Sequence, residues 1–356
     1  MKDALSSIKP VVRQLHAYTL KHFEARVKIN QNENPFDLPD SVKSAVHKAM
    51  EGRAWCRYPP FVPTELAAKL ARFAGWRSDG VLVGNGSNEL IEAVLMVTVE
   101  PGKRVAIPQP TFTLYQLLVG ILGGEVLPVA LTENLDFDVP RLASAAAQAD
   151  VTLLCCPNNP TGSNLRLDEI REILKAARGL VVVDEAYHEF SRQTAVPLLA
   201  EFEHLVVLRT FSKAMAMAGL RVGYLLGHPE MVEQIAKAKL PYNLNVFSMA
   251  AAEAAVEQFS LLQPQIEVLI RERERLLAEL RQTPGVTAYA SQANFIAFKT
   301  RHAAAQVFEA LYSHGILVRD VSRYPMLDRF LRVTVGLPQE NDQFLDALRS
   351  FLAAAH

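Results

Sequence analysis

Leu205-Val206-Val207-Leu208-Arg209-Thr210-Phe211-Ser212-Lys213-Ala214-Met215-Ala216-Met217-Ala218-Gly219-Leu220-Arg221-Val222-Gly223-Tyr224-Leu225 is the stretch on which the fold turns. Its first four residues form an unbroken apolar run, the pattern of a strand buried on both faces of a sheet. Lys213 stands just past that run, beside a hydroxyl and followed by small and apolar residues. A lysine is ordinarily a solvated surface charge. Neighbours of this kind desolvate the amine, lower its pKa and favour the nucleophilic free base. Arg221 follows eight residues later, directly before the next apolar run.

Working outward, similar short apolar runs occupy residues 81–83, 104–107, 126–129, 151–155, 180–183 and 222–225, with helix-length amphipathic spans between them, such as 89–99 and 168–177. Continuous rather than alternating apolar runs predict a doubly wound, mostly parallel α/β sheet from about residue 40 to residue 245. Beyond Pro241 the texture changes. A long helical region over 247–282 leads to strand candidates at 295–298, 315–318 and 330–335, which predicts a smaller α+β unit. The expected division is an N-terminal arm over 1–35, a large domain over 36–245 and a small C-terminal domain over 246–356.

A chain of 356 residues is long enough for two domains sharing a cleft. The 37 basic and 38 acidic residues nearly cancel, which argues against a nucleic-acid partner, whose binders carry a basic excess or stripe. Arg271-Glu272-Arg273-Glu274-Arg275 alternates in sign and reads as the solvated face of a helix. Three cysteines, Cys56, Cys155 and Cys156, show no disulfide spacing and fit a reducing compartment. The first ten residues contain no continuous apolar core of a signal peptide, and residues 114–131 are too interrupted for a membrane span. The expectation is a soluble cytoplasmic protein with no membrane partner.

Four further features carry chemistry. Asp184 ends the apolar run 180–183, at the carboxyl end of a strand, where ligands of open α/β sheets gather. A carboxylate in that place also serves as a helix N-cap. Tyr187 lies three residues on. Asn159-Pro160-Thr161-Gly162 follows the run ending at Cys156 and carries an ordinary turn signal. Gly84-Asn85-Gly86-Ser87-Asn88-Glu89 joins a strand to a helix, so its amides and the helix N-terminus form an anion site. Glu89 stands where a dinucleotide fingerprint has glycine or alanine, so a phosphate monoester fits better. Together these are the needs of one cofactor, pyridoxal 5'-phosphate (PLP). It takes a lysine for an imine, a carboxylate for the pyridine nitrogen, donors for the ring oxygen, a phosphate cradle and an aromatic plane. Lys213, Asp184, Asn159 with Tyr187, the Gly86-Ser87-Asn88 turn with Ser212 and Arg221, and Phe112 or Tyr115 supply them.

At these residues the chain resembles the fold-type-I PLP aminotransferases, and within them the histidinol-phosphate aminotransferase family, over nearly its whole length. The motifs that carry the resemblance are Lys28-Ile29-Asn30-Gln31-Asn32-Glu33-Asn34-Pro35, Arg57-Tyr58-Pro59, Gly86-Ser87-Asn88-Glu89 and Pro110-Thr111-Phe112 with Tyr115. Pro157 to Gly162, Asp184-Glu185-Ala186-Tyr187, Ser212-Lys213 through Arg221, and Leu331-Arg332-Val333-Thr334-Val335-Gly336 complete the set. The resemblance implies that Lys213 holds PLP as a Schiff base and shuttles a proton, while Asp184 pairs with the pyridine nitrogen. It implies that Asn159 and Tyr187 hold the phenolic oxygen, that Ser87, Asn88, Ser212 and Arg221 bind the phosphate, and that Phe112 or Tyr115 stacks on the ring. Tyr58 is expected to reach the neighbouring subunit's cofactor phosphate in a homodimer. Arg332 with Arg319, together with Tyr18 and Tyr115, is expected at the substrate, because a guanidinium fork suits carboxylate and phosphate alike.

The implied reaction is amino transfer from L-histidinol phosphate to 2-oxoglutarate. The rivals are an aromatic amino-acid aminotransferase and a phosphothreonine-type PLP decarboxylase, and a non-catalytic PLP-binding relative would have lost Lys213. The sequence departs from the family pattern at Phe36-Asp37-Leu38-Pro39, where a glycine usually follows the Asn-Glu-Asn-Pro motif, and at Pro60, where an acid is common. Both departures fall on segments near the substrate. Glu185-x-x-His188 and Glu201-x-x-His204 match di-iron spacing, but that site needs four long facing helices, so no metal is expected.

Overall fold

The computed structural model of the chain describes residues 4–17 and 23–354. A two-residue strand, β1 (Val27–Lys28), precedes the seven strands of the main sheet. These are β2 (Val81–Gly84), β3 (Arg104–Gln109), β4 (Glu125–Ala130), β5 (Val151–Cys155), β6 (Leu180–Asp184), β7 (Leu205–Thr210) and β8 (Gly223–Gly227), in the spatial order β2-β8-β7-β6-β5-β3-β4. Every predicted run of the large domain is one of these strands. Neighbours from β7 through β4 are parallel, whereas β8 is antiparallel to β2 and β7. The segment from β7 to β8 contains no α-helix to make a parallel crossover, so the chain returns beside β7 in the opposite direction.

Successive side chains of each strand enter opposite cores. Val181, Val183 and Val207 join one apolar cluster, while Val182, Val206 and Leu208 join the other. The first cluster is roofed by helices that include Asp40–Met50, Thr64–Ala74 and Leu167–Ala176, and the second by Ser87–Thr98, Thr113–Leu122 and Pro229–Ala236. At the sheet edge β4 carries Glu125 and Pro128, residues that discourage further strand pairing.

The C-terminal half adds β9 (Val286–Ala288), β10 (Phe295–Thr300), β11 (Ile316–Leu317), β12 (Arg319–Asp320) and β13 (Phe330–Thr334). Four of them form an antiparallel sheet in the order β12-β13-β10-β9, while β11 pairs in parallel with β1. Residues of the expected arm thus belong to this smaller unit, with Val27 and Ile29 buried in its core beside Phe298 and Phe344. The long helical region divides into Val246–Glu257 and Phe259–Gln282. The first of these packs its alanine face, Ala251, Ala252 and Ala255, into the core of the large unit.

The charge-alternating segment differs from its sequence reading. Arg273 is buried and donates to the carbonyls of Phe190 and Ala293, both at 3.2 Å, because Phe259–Gln282 lies between the two units there. Among the described residues no helix is long and apolar enough to cross a membrane.

One buried ion pair braces the sheet behind the cleft. Glu185 and Arg209 meet at 2.9 Å with almost no exposure, and Glu185 also accepts from Ala195 N and Thr194 Oγ1. Removing one partner strands a buried charge. Arg209→Met is therefore expected to cost about 3–5 kcal/mol, read from urea unfolding followed by fluorescence. A loss under about 1 kcal/mol, the range of an exposed pair, would contradict this assignment.

Candidate active site

Asp184 is the last residue of β6 and Lys213 lies three positions beyond the end of β7, so both reach the carboxyl edge of adjacent parallel strands. They line a cleft of about 290 Å³ between the two units. Lys213 Nζ donates to Gln31 O at 3.0 Å and stands 5.9 Å from the centroid of the Tyr187 ring. Burial, with the nearby Arg332 charge, lowers its amine to about 8, which leaves about a tenth of it as free base at pH 7 and about half near pH 8. Asp184 is pushed up to about 6 by burial, against the hydroxyl of Tyr115 and the amide of Ala186 that donate to it. Those bonds measure 2.6 Å to Oδ2 and 3.1 Å to Oδ1.

Gly86 precedes the helix Ser87–Thr98 with φ +81°, a conformation open to glycine. Arg221, itself left-handed at φ +54°, reaches over it and donates to Ser212 Oγ at 3.1 Å and Ala218 O at 3.0 Å. A Cβ on Gly86 would lie 2.4 Å from Arg221 Nη2, and one on Gly223 would lie 2.4 Å from Ser87 N. The cradle of Gly86, Ser87, Asn88, Ser212 and Arg221 therefore closes only because two positions lack side chains. Among the described residues Arg221 has no carboxylate partner, so its charge is open to an anion beside the helix N-terminus. This cradle, with Lys213 and Asp184 facing one cleft, fits PLP.

At the other end Arg332 on β13 and Arg319 on β12 are register partners, and both line the cleft. Arg332 is buried; it donates to Asn159 Oδ1 at 2.5 Å and Asn30 O at 2.8 Å, with its guanidinium 5.1 Å from the Phe295 ring. Tyr187 is also buried, and its hydroxyl accepts from Asn32 Nδ2 at 2.9 Å.

The structure thus gathers Ser87, Asn88, Phe112, Asn159, Asp184, Tyr187, Ser212, Lys213, Arg221, Arg319 and Arg332 around one cleft. Tyr115 is placed elsewhere. Expected at the substrate or stacked on the ring, it is fully buried beneath Asp184, with its ring edge-on to Phe112 at 5.5 Å. Phe112 is the aromatic that faces the cleft. Tyr58 is 80% exposed, away from this cleft, and stacks on Tyr242. Tyr18 lies outside the described residues. The Glu185-x-x-His188 spacing is spent on Arg209, Thr194 and the backbone, and among the described residues no metal-binding cluster forms.

Sequence reasoning missed roles for Asn30, Asn32 and Tyr324. The asparagines sit in the polar run 30–34 that directly follows Val27 and Ile29, and that uninterrupted polarity behind a short apolar segment was the available signal. Tyr324 reaches the cleft from the turn before β13, and nothing in its neighbours marks it.

A sequence profile of the family described as "Aminotransferase class I and II" matches residues 25–348. This chain is 39% identical over 351 residues to the histidinol-phosphate aminotransferase of Chlorobium phaeovibrioides, covering 98% of this chain and 97% of that one. It is 40% identical over 352 residues to that of Chlorobium phaeobacteroides, covering 98% of each. The fold matches the crystal structure of histidinol-phosphate aminotransferase from Sinorhizobium meliloti in complex with pyridoxal-5'-phosphate, at a TM-score of 0.88 and 24% identity over 99% of this chain and all of that one. The chain belongs to the PLP-dependent aminotransferases of class I and II, and within them to the histidinol-phosphate aminotransferase family.

PLP, when bound, supplies an electron sink that stabilises negative charge on the substrate carbon. In that site the desolvated Lys213 amine would be the group that holds the cofactor and carries a proton, and the Asp184 carboxylate would be the group that balances positive charge on the pyridine ring. Replacement of Lys213 by alanine is expected to abolish the yellow absorbance of the purified enzyme while leaving its circular dichroism unchanged. A persistent yellow band would remove Lys213 from its assigned role.

Proposed function

We propose that the enzyme moves the amino group of L-histidinol phosphate to 2-oxoglutarate, as in histidine biosynthesis. The observation that carries this reading is the pair of guanidinium groups, Arg319 and Arg332, opposite the cofactor cradle. Planar forks of this kind take a phosphate or a carboxylate in bidentate fashion, so one end of the cleft serves both partners of the exchange. The names of the relatives at 39% and 40% identity over nearly the whole chain support the same substrate. Aromatic amino acids and phosphothreonine remain as competitors in the test. The phosphothreonine decarboxylase likeness, to the Porphyromonas gingivalis enzyme, is one of fold, at 23% identity.

The reading includes a cytoplasmic homodimer. Trp55, Tyr58, Phe61, Val62, Leu240 and Tyr242 expose apolar surface, and Tyr242 stacks on Tyr58 at 4.5 Å and meets Phe61 at 5.5 Å. Apolar patches of this kind mark contact surfaces. Tyr58, remote from its own subunit's cleft, is then free to approach the partner's phosphate cradle. Sedimentation is expected to give twice the 39.4 kDa chain mass, and a species at the single-chain mass at working concentration would end the dimer assignment.

The substrate test mixes the yellow enzyme separately with L-histidinol phosphate, phenylalanine and O-phosphothreonine. Bleaching with histidinol phosphate, reversed by 2-oxoglutarate and lost in Arg332→Ala, is the expected result. Preference for phenylalanine would move the enzyme to aromatic substrates, and carbon dioxide released from phosphothreonine would replace transamination by decarboxylation.

A further inference from the structure

We propose that Tyr115 is a positioning residue that keeps the Asp184 carboxylate ionised and aimed at the cofactor ring. The proposal rests on the PLP site and is independent of which amino donor the enzyme takes. Asp184 is 4% exposed and Tyr115 is 1% exposed, so water does not solvate the carboxylate. Two donors stand in for it. Ala186 N bonds Oδ1, and Tyr115 Oη bonds Oδ2 at 2.6 Å, a length typical of a charge-assisted O–H···O⁻ bond. Among the described residues Tyr115 is the one side chain that donates to Asp184.

The other titratable and charged neighbours do not replace it. Glu185 beside Asp184 raises its pKa, and Lys213 beyond β7 lowers it only as a smaller contribution than Tyr115. Cys155 on β5, Cys156 just past it and Tyr187 are buried and held above their ordinary pKa values, so they are neutral at working pH. Tyr115 also meets the ring of Phe112 edge-on at 89°, so one side chain supports both the Asp184 carboxylate and the aromatic that faces the cleft. Tyr115→Phe separates these roles: the ring contact stays and the donor goes.

The sign follows from the carboxylate. Loss of a donor to the charged form raises the Asp184 pKa from its value near 6, so the ionised form is reached only at higher pH. A hydrogen bond to a charged group corresponds to about one to two pKa units. The test titrates the apoenzyme with pyridoxamine 5'-phosphate, which lacks the aldehyde and cannot form an imine with Lys213, and follows fluorescence quenching from pH 5 to 9. In Tyr115→Phe the acid limb of affinity is expected to move up by about one to two pH units, with about two- to tenfold weaker binding at neutral pH and recovery in alkali. The ¹⁵N resonance of labelled ring nitrogen is expected to move toward the unprotonated position over the same range. An uniform loss at every pH, or an unmoved limb, would overturn the proposal. Site-specific 3-fluorotyrosine at position 115 gives the opposite sign without removing the hydroxyl. The more acidic phenol is a stronger donor and shifts the limb to lower pH; an unmoved limb there overturns the proposal even if Tyr115→Phe does not fold.

Discussion

The parallel pairing of β5, β6 and β7 is the constraint on which the site depends. Register places Cys155 opposite Asp184, and Asp184 opposite Leu208, so neighbouring chains leave the sheet at one edge and on one side. Each strand is buried along its length, and the first polar group past the apolar run must find partners at that edge or lose hydration without compensation. Asp184, Thr210 and Ser212 therefore turn toward one another's neighbourhood rather than toward water. The reactive amine is presented from a loop whose ends are clamped by β7 and β8.

Charge in the cleft is arranged for anions. Lys213, Arg221, Arg319 and Arg332 line it, against Asp184 and Glu33. The cations are separated: Arg221 serves the glycine cradle, whereas Arg319 and Arg332 stand on the small sheet. Partial desolvation makes this separation effective, because fields between buried groups are screened weakly. The same field lowers the Lys213 amine, since Arg332 is the next contributor after burial. Arg332 thus adds to what burial already does to the Lys213 amine.

The segment following β1 stitches the two units across the cleft. Gln31 O accepts from Lys213, Asn30 O accepts from Arg332, and Asn34 Nδ2 donates to Ala214 O at 3.0 Å. Asn32, left-handed at φ +56°, bonds Tyr187 on one side and Thr334 on the other, while Asn294 donates to its carbonyl. Four residues of the 30–34 segment consequently fix Tyr187 beyond β6, the Lys213 loop and β13. Their polarity is explained by these bonds, which convert an irregular buried backbone into a satisfied one.

Much of this was legible in the residues. Unbroken runs such as 180–183 and 205–208 specified the buried sheet, because short apolar stretches have nowhere else to pair their backbone. Lys213, Asp184 and the Gly86 turn were legible because each sits at a strand end with chemistry its neighbours do not share. Arg273 and Tyr115 were misread, since charge alternation and motif adjacency say nothing about which face a neighbouring element covers. The sequence by itself determined the strands of the large sheet, the cofactor chemistry and the family, all of which depend on local pattern. Only the tertiary structure decided that Tyr115 lies beneath Asp184, that the 30–34 segment bridges the units, and that Arg319 meets Arg332 across a register. Those are contacts between residues far apart in the chain, and their energies arise only when packing excludes water between them.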